Sequence, residues 1–353
     1  MEVVVLGAGV MGSALTIPLA ENGNRVKLWG TEFDRRILEE IARTGIHPRL
    51  KVEIPKEVEL FSPEEIGEAV KGSEIVVIGV LSAGVRSIAR RIMPYLEEGT
   101  VVITIAKGLE DFEGKIYTML EVVKSELPEE KRDSISLLAI AGPSLALELA
   151  KKVPTSVVFA SKDLKAAKKC KEAFETDYYR PILSDDVIGV EICSALKNVY
   201  AISIGMCEGM KGQLDVETID NTRGLLFTQA VKEMGKIAEA LGGKSESAYG
   251  LAGIGDLETT ARGGRNVMFG ELLGSGLTVE EALEEMRRRG KGTVEGYGTL
   301  PSAYKLVLNL EREGKLQIAK DVPLLRELYL ILKGNKPFTR EVLQELVLNL
   351  TSD

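Results

Sequence analysis

Residues 2–14 read EVVVLGAGVMGSA, an apolar run that opens into Gly7-Ala8-Gly9-Val10-Met11-Gly12. The run spells a buried strand over 2–6, the glycines a tight loop, and the residues beyond them a helix from about Met11 to Asn22. Working outward, Asn22-Gly23 stops that helix and RVKLW, residues 25–29, supplies a second strand. Strand, glycine loop, helix and strand together form the context in which G-x-G-x-x-G carries meaning. The first glycine permits the turn, and the second lets a pyrophosphate approach the backbone. The third lets the helix pack on the strand with its N-terminus aimed at the anion. Gly7, Gly9, Val10, Met11 and Gly12 are therefore the expected pyrophosphate cradle of a dinucleotide.

The same alternation continues. Apolar runs at 74–80, 100–105 and 136–141 predict further strands, each followed by a glycine or serine loop, and 156–160 and 180–183 extend the sheet. From about Val187 strand-like runs give way to long helical patterns. The chain has 353 residues, more than one core usually serves. The expectation is an α/β Rossmann-type domain over residues 1–186, its sheet parallel-dominated, and an all-α domain over 187–353 carrying substrate and catalysis. Ligands of such sheets sit beyond the carboxyl ends of the strands, so those loops hold the candidates.

Bulk properties narrow the chemistry. A net charge of −8 excludes a general nucleic-acid binder and leaves room only for a small, local phosphate site. The N-terminus lacks the pattern of a signal peptide, and no stretch approaches the roughly 20 apolar residues of a membrane span. The three cysteines, Cys170, Cys193 and Cys207, are odd in number and show no C-x-x-C spacing, which fits reduced thiols in a cytoplasmic protein. His47, beside Pro48, is the only histidine, so histidine dyads and histidine-rich metal sites are excluded and no metal is expected. Acid–base work falls to Lys, Asp, Glu, Tyr or water.

At the ribose end the second strand closes on Trp29, Gly30 and Thr31, with no carboxylate before Glu32. Arg35 and Arg36 follow and suit a 2′-phosphate, so the reading favours NADP while Glu32 leaves NAD open. Residues 190–204, VEICSALKNVYAISI, form a helix apolar on nearly every side with Lys197 in its middle. A lysine so placed either snorkels to the surface or is desolvated toward neutrality and suited to proton transfer. Its neighbour Asn198 either bonds a substrate hydroxyl or caps a neighbouring group. Lys107, after the 100–105 strand, is either solvated or ligand-facing. Arg265-Asn266, after Gly263-Gly264, is either surface loop or an anion clamp. Asp256 ends the glycine-rich GLAGIGD stretch, where it could pair with a buried lysine.

Taken in order, GAGVMGSA (7–14), AKGLE (106–110), GPSLALE (142–148), DDVIGVEICSALKNVYAI (185–202), GLAGIGDLETT (250–260), GRNVMFG (264–270) and TVEGYGT (293–299) resemble the NAD(P)-dependent glycerol-3-phosphate dehydrogenases. The resemblance implies reversible hydride transfer between NAD(P)H and dihydroxyacetone phosphate, giving sn-glycerol 3-phosphate for glycerophospholipid synthesis. It implies Lys197 as proton donor and acceptor, supported by Lys107 and Asp256. Lys107, Gly142, Ser144, Asn198, Thr260, Gly264, Arg265 and Asn266 would surround the substrate. Lys107, Ala146, Arg265 and Glu295 would reach the cofactor, joining the glycine loop and Trp29, Thr31 and Arg35.

The chain departs from the family pattern at Leu81, where proline is frequent, at Gly264, where serine often precedes Arg-Asn, and at Thr31, where a basic residue is common. Residues 209–220 also look longer than usual. The nearest competing enzyme is a β-hydroxyacid-type dehydrogenase or ketoacid reductase of the same plan; the phosphate-suited 264–266 segment disfavours it. A non-catalytic NADP(H) sensor would have no need of Lys197. The sequence does not fix the oligomeric state; a homodimer is the common arrangement for soluble enzymes.

Overall fold

The strands are β1 (Glu2–Leu6), β2 (Arg25–Trp29), β3 (Glu59–Phe61), β4 (Ile75–Ile78), β5 (Val101–Thr104), β6 (Leu109–Phe112), β7 (Lys115–Thr118), β8 (Ser136–Ala141), β9 (Thr155–Ala160) and β10 (Tyr179–Ser184). Eight of them form one sheet in the order β10-β9-β8-β5-β4-β1-β2-β3. In β1, Val3 and Val5 join one core while Val4 and Leu6 join another. That alternation explains the unbroken apolar run: a strand covered on both faces has no polar side. The structure is a computed structural model that describes residues 1–335 and 337–351. It divides into two compact units, Met1–Glu110 with Tyr117–Val187, and Asp111–Ile116 with Ile188–Asp353.

The parallel-dominated sheet is as the pattern predicts, and β8 with β9 is its antiparallel pairing, with Ile140 opposite Phe159. The three-residue β3 and the small β6–β7 sheet have no counterpart in the sequence reading. β3 is too short for periodicity to register. The turn between β6 and β7 is Glu113-Gly114, both at positive φ (51° and 86°), the signature of a type I′ hairpin.

The second unit is helical apart from its hairpin segment. Its central helix, Val187–Gly209, is buried along most of its length. Contrary to the sequence expectation, the stretch Val187–Leu214 holds an 18-residue window apolar enough to cross a membrane, with a mean hydropathy of 1.5. Of that window 89% is buried, as in a core helix of a folded protein. The Arg265–Gly274 helix crosses it at backbone contact. A Cβ on Gly205 would stand 2.2 Å from the Val267 carbonyl oxygen, and one on Gly270 2.2 Å from that of Ile202.

A buried carboxylate locks the same helix to its neighbours. Glu233, fully buried, accepts the Tyr200 hydroxyl (2.8 Å), the Gln229 amide (2.9 Å) and the backbone N–H groups of Leu324 (2.6 Å) and Leu325 (2.9 Å). The last two open the Pro323–Gly334 helix, whose N-terminus favours an anion. Burial pushes this carboxyl up to about 7, against the pull of its four donors. Glu233→Ala leaves those donors facing a void, with an expected loss of about 3 kcal/mol or more in urea unfolding. A midpoint unchanged from the parent would show that the cluster contributes nothing to stability.

Candidate active site

Lys197 and Asn198 are adjacent on the Val187–Gly209 helix, and both are buried. The Lys197 ammonium donates to Asp256 Oδ1 and to Thr260 Oγ1, each at 2.6 Å. The side chains of the ion pair are 7% and 3% exposed, so Lys197 does not snorkel to solvent. Asp256 opens the Asp256–Ala261 helix directly after a π-helical turn, Leu251–Gly255. The wider winding re-aims the chain by a residue, and Thr260, one turn on, shares Asp256's face.

A second group of buried amides lies beside it. Asn266 Oδ1 accepts the Gly296 N–H (2.9 Å), which leaves its Nδ2 to donate to Asn198 Oδ1 at 3.0 Å. That relay fixes the orientation of both amides. Asn198 Nδ2 is then a buried donor without a partner among the described residues. Arg265 stands at the first position of its helix, with Nη2 3.7 Å from Glu295 Oε1 and a side chain 40% exposed. Gly264 before it has φ 103°, a conformation in which serine would be strained.

In the first unit, Lys107 follows β5 and donates to the Gly142 carbonyl oxygen at 3.4 Å. Ser144 Oγ is buried and unpartnered among the described residues, and Ala146 opens the short helix that follows.

The glycine loop fits a dinucleotide pyrophosphate. Gly7 has φ 121°, and a Cβ there would stand 2.7 Å from the Gly79 carbonyl oxygen; at Gly12 it would stand 2.1 Å from that of Gly7. The protein itself thus demands the first and third glycines. At Gly9 a Cβ would meet nothing within 4 Å among the described residues, so its bareness leaves the backbone open to a ligand. Val10 and Met11 begin the helix whose N-terminus faces that opening.

Two family models match the chain: NAD-dependent glycerol-3-phosphate dehydrogenase N-terminus over residues 2–167 and its C-terminus over 186–343. The NADP(+)-dependent glycerol-3-phosphate dehydrogenase of Archaeoglobus fulgidus is 47% identical over 319 residues, covering 90% of this chain and 92% of its own. The chain belongs to the NAD-dependent glycerol-3-phosphate dehydrogenase family. A glycerol-3-phosphate dehydrogenase [NAD(P)+] of Thermoanaerobacter sp. is 35% identical over 96% of this chain and 94% of its own. The crystal structure of glycerol-3-phosphate dehydrogenase from Coxiella burnetii superposes with a TM-score of 0.80 at 29% identity, covering 98% of each chain.

At the ribose end, the candidate residues have partners within the protein. Trp29 is wholly buried and offers the loop a backbone carbonyl, which accepts the Gly7 N–H at 2.7 Å. The Thr31 N–H and hydroxyl both donate to Asp34 Oδ2, at 2.9 and 2.7 Å. Arg35 is ion-paired with Glu64.

Sequence reasoning missed His47, treated there only as the lone histidine. Its Nδ1 accepts the N–H groups of Arg49 and Leu50, both at 3.1 Å, so the neutral ring carries its proton on Nε2. Nε2 donates to the Ala8 carbonyl oxygen, inside the glycine loop, at 3.2 Å. Burial holds the ring's pKa below its usual 6.5. The unfolded chain therefore takes up the proton first. His47's contribution to stability is complete above about pH 6.5 and is lost as the pH falls through the folded value. Replacement by asparagine keeps an acceptor for the turn but falls short of Ala8. His47→Asn should flatten the acid-side fall of the melting temperature and weaken dinucleotide binding severalfold. A pH–Tm profile and cofactor Kd matching the parent would refute this role.

Proposed function

We propose that this protein reversibly reduces dihydroxyacetone phosphate to sn-glycerol 3-phosphate with NADPH or NADH, NADPH preferred, supplying a glycerophospholipid precursor. The carrying observation is the buried Lys197–Asp256–Thr260 cluster beside the unpaired Asn198 donor, in a chain of this family. The preference for NADPH is supported by the NADP(+)-dependent Archaeoglobus relative. All three cysteines are buried, which suits a reducing cytoplasmic setting.

When bound, the reduced nicotinamide supplies the hydride that reaches the carbonyl carbon. Lys197 stabilises the negative charge gathering on the carbonyl oxygen and passes it a proton. Asp256 favours the ammonium before transfer, opposing the desolvation that favours the amine, and holds Nζ in place with Thr260. Asn198 Nδ2 gives its free hydrogen bond to a substrate hydroxyl. Arg265, Asn266 and the N-terminus of their helix after Gly264 take the phosphate, whose binding orients the reacting carbon. Lys107 is assigned a supporting positive charge, and Gly142 and Ser144 are assigned to the substrate. Gly7, Gly9, Val10, Met11 and Gly12 hold the pyrophosphate. Trp29 supports that loop through its carbonyl; Thr31 and Arg35 serve the ribose end, and Lys107, Ala146, Arg265 and Glu295 the remainder.

The direct test is loss of NADPH absorbance on adding dihydroxyacetone phosphate, compared with unphosphorylated dihydroxyacetone. Turnover of the phosphorylated substrate alone is expected; no oxidation with either would end the proposal. Lys197→Ala should lower kcat by about two to four orders of magnitude, and parent-like turnover would remove Lys197 from catalysis. Arg265→Ala should raise KM for dihydroxyacetone phosphate by at least about tenfold, as loss of a charge-assisted phosphate contact predicts. An unchanged KM would place the phosphate elsewhere.

A further inference from the structure

We propose that Arg91 sets the preference for the 2′-phosphorylated cofactor, drawing off the carboxylate of Glu32 and presenting its own guanidinium to the phosphate. The proposal rests on the cofactor reading above and assigns its selectivity to a residue outside the glycine loop and the β2 turn. Arg91 lies on the Val85–Ile92 helix, which follows β4, and reaches across to the end of β2. Its guanidinium carbon sits 5.0 Å from the centroid of the Trp29 ring. Nη1 donates to Glu32 Oε1 and Nη2 to the Pro63 carbonyl oxygen, both at 3.0 Å. Three anchors from two segments, the end of β2 with its turn and the chain at Pro63, thus hold one cation at the point where a Rossmann sheet meets the adenine ribose.

The neighbouring carboxylates explain what this cation does. A site for the unphosphorylated cofactor presents Asp or Glu there to accept the ribose hydroxyls. Asp34 is occupied by Thr31, whose N–H and hydroxyl it accepts. Glu32, the other acid of the turn, is drawn to Arg91. Left to itself, Glu32 would repel a phosphate dianion and favour the plain ribose; paired, it does neither.

The pairing is also easy to exchange. The side chains of Arg91 and Glu32 are 32% and 56% exposed, so water screens their attraction. A phosphate dianion offers more charge than a carboxylate and matches the planar fork of a guanidinium. The Trp29 face keeps that fork oriented while the partner changes, since a guanidinium stacks on an indole through the ring's negative face. Lysine could supply the charge but not the stacking.

Fluorescence titration of the substrate-free protein with NADPH and with NADH tests this without turnover. The parent should bind NADPH more tightly. Arg91→Ala should raise the ratio of the NADPH Kd to the NADH Kd at least about tenfold, equivalent to about 1.4 kcal/mol. Glu32→Gln, which removes the competitor and leaves Arg91 in place, should shift the ratio the opposite way by about threefold. If Arg91→Ala does not fold, Glu32→Gln decides alone. A ratio unmoved in the folded variants, or a parent that prefers NADH, overturns the proposal. Dihydroxyacetone phosphate reduction by the parent, measured alongside, separates this failure from failure of the proposed reaction.

Discussion

A lysine ammonium in the middle of an apolar helix has few stable solutions, and the helical unit is built around one of them. Leaving Lys197 unpaired at 6% exposure would cost several kcal/mol, roughly 3–5 for a broken buried pair. Asp256 resolves this at 2.6 Å, and Thr260 takes a second ammonium proton. For the carboxylate to arrive there, the chain before it winds as a π-helical turn, Leu251–Gly255. Within that turn, a Cβ on Gly253 would stand 2.1 Å from the Ala248 carbonyl oxygen. The glycine-rich stretch is thus the steric condition for placing one carboxylate.

The helix that carries Lys197 is fixed in turn by how closely others approach it. Side chains at Gly205 and Gly270 would drive the Arg265–Gly274 helix away and carry Asn266 out of reach of Asn198. Gly296 repeats the device on the Glu295–Arg312 helix, where a Cβ would stand 2.1 Å from the Asn198 carbonyl oxygen. The same residue's N–H pins the Asn266 amide. Backbone proximity and amide orientation are therefore one feature: the bare glycines bring the helices together, and the N–H exposed by that approach sets which atom of Asn198 remains open.

Much of this was legible in the sequence because it is local or periodic. The apolar run of β1, the glycine loop and the helix around Lys197 declare themselves within a few residues. The pairing of Asp256 with Lys197 is open in the sequence as one arrangement that a buried lysine could take, and the structure shows it. Illegible features join distant segments through atoms without a pattern. His47 reaches Ala8 across 39 positions, and Arg91 reaches Glu32 across 59. Nothing in a lone histidine beside a proline, or an arginine on an amphipathic helix, marks either contact. Trp29 is partly legible: its place at the end of β2 is read from the sequence, but its full burial and the Arg91 guanidinium over its ring are not.

The groups left unsatisfied are as informative as those that are paired. The helical unit can satisfy a buried acid completely, as the four donors around Glu233 demonstrate. Against that standard, Asn198 Nδ2 stands out, buried and unpaired among the described residues though its own Oδ1 is held firmly. Ser144 Oγ presents the same situation in the first unit. An unpaired buried polar group costs about 1–3 kcal/mol, a cost the chain also bears, among the described residues, at Ser13 Oγ and Trp29 Nε1. At Asn198 and Ser144, which the proposed function assigns to the substrate, the cost makes sense as a hydrogen bond kept in reserve for a ligand. Preorganised donors of this kind bind without first breaking an internal bond, and their orientation is already set by residues that never touch the substrate.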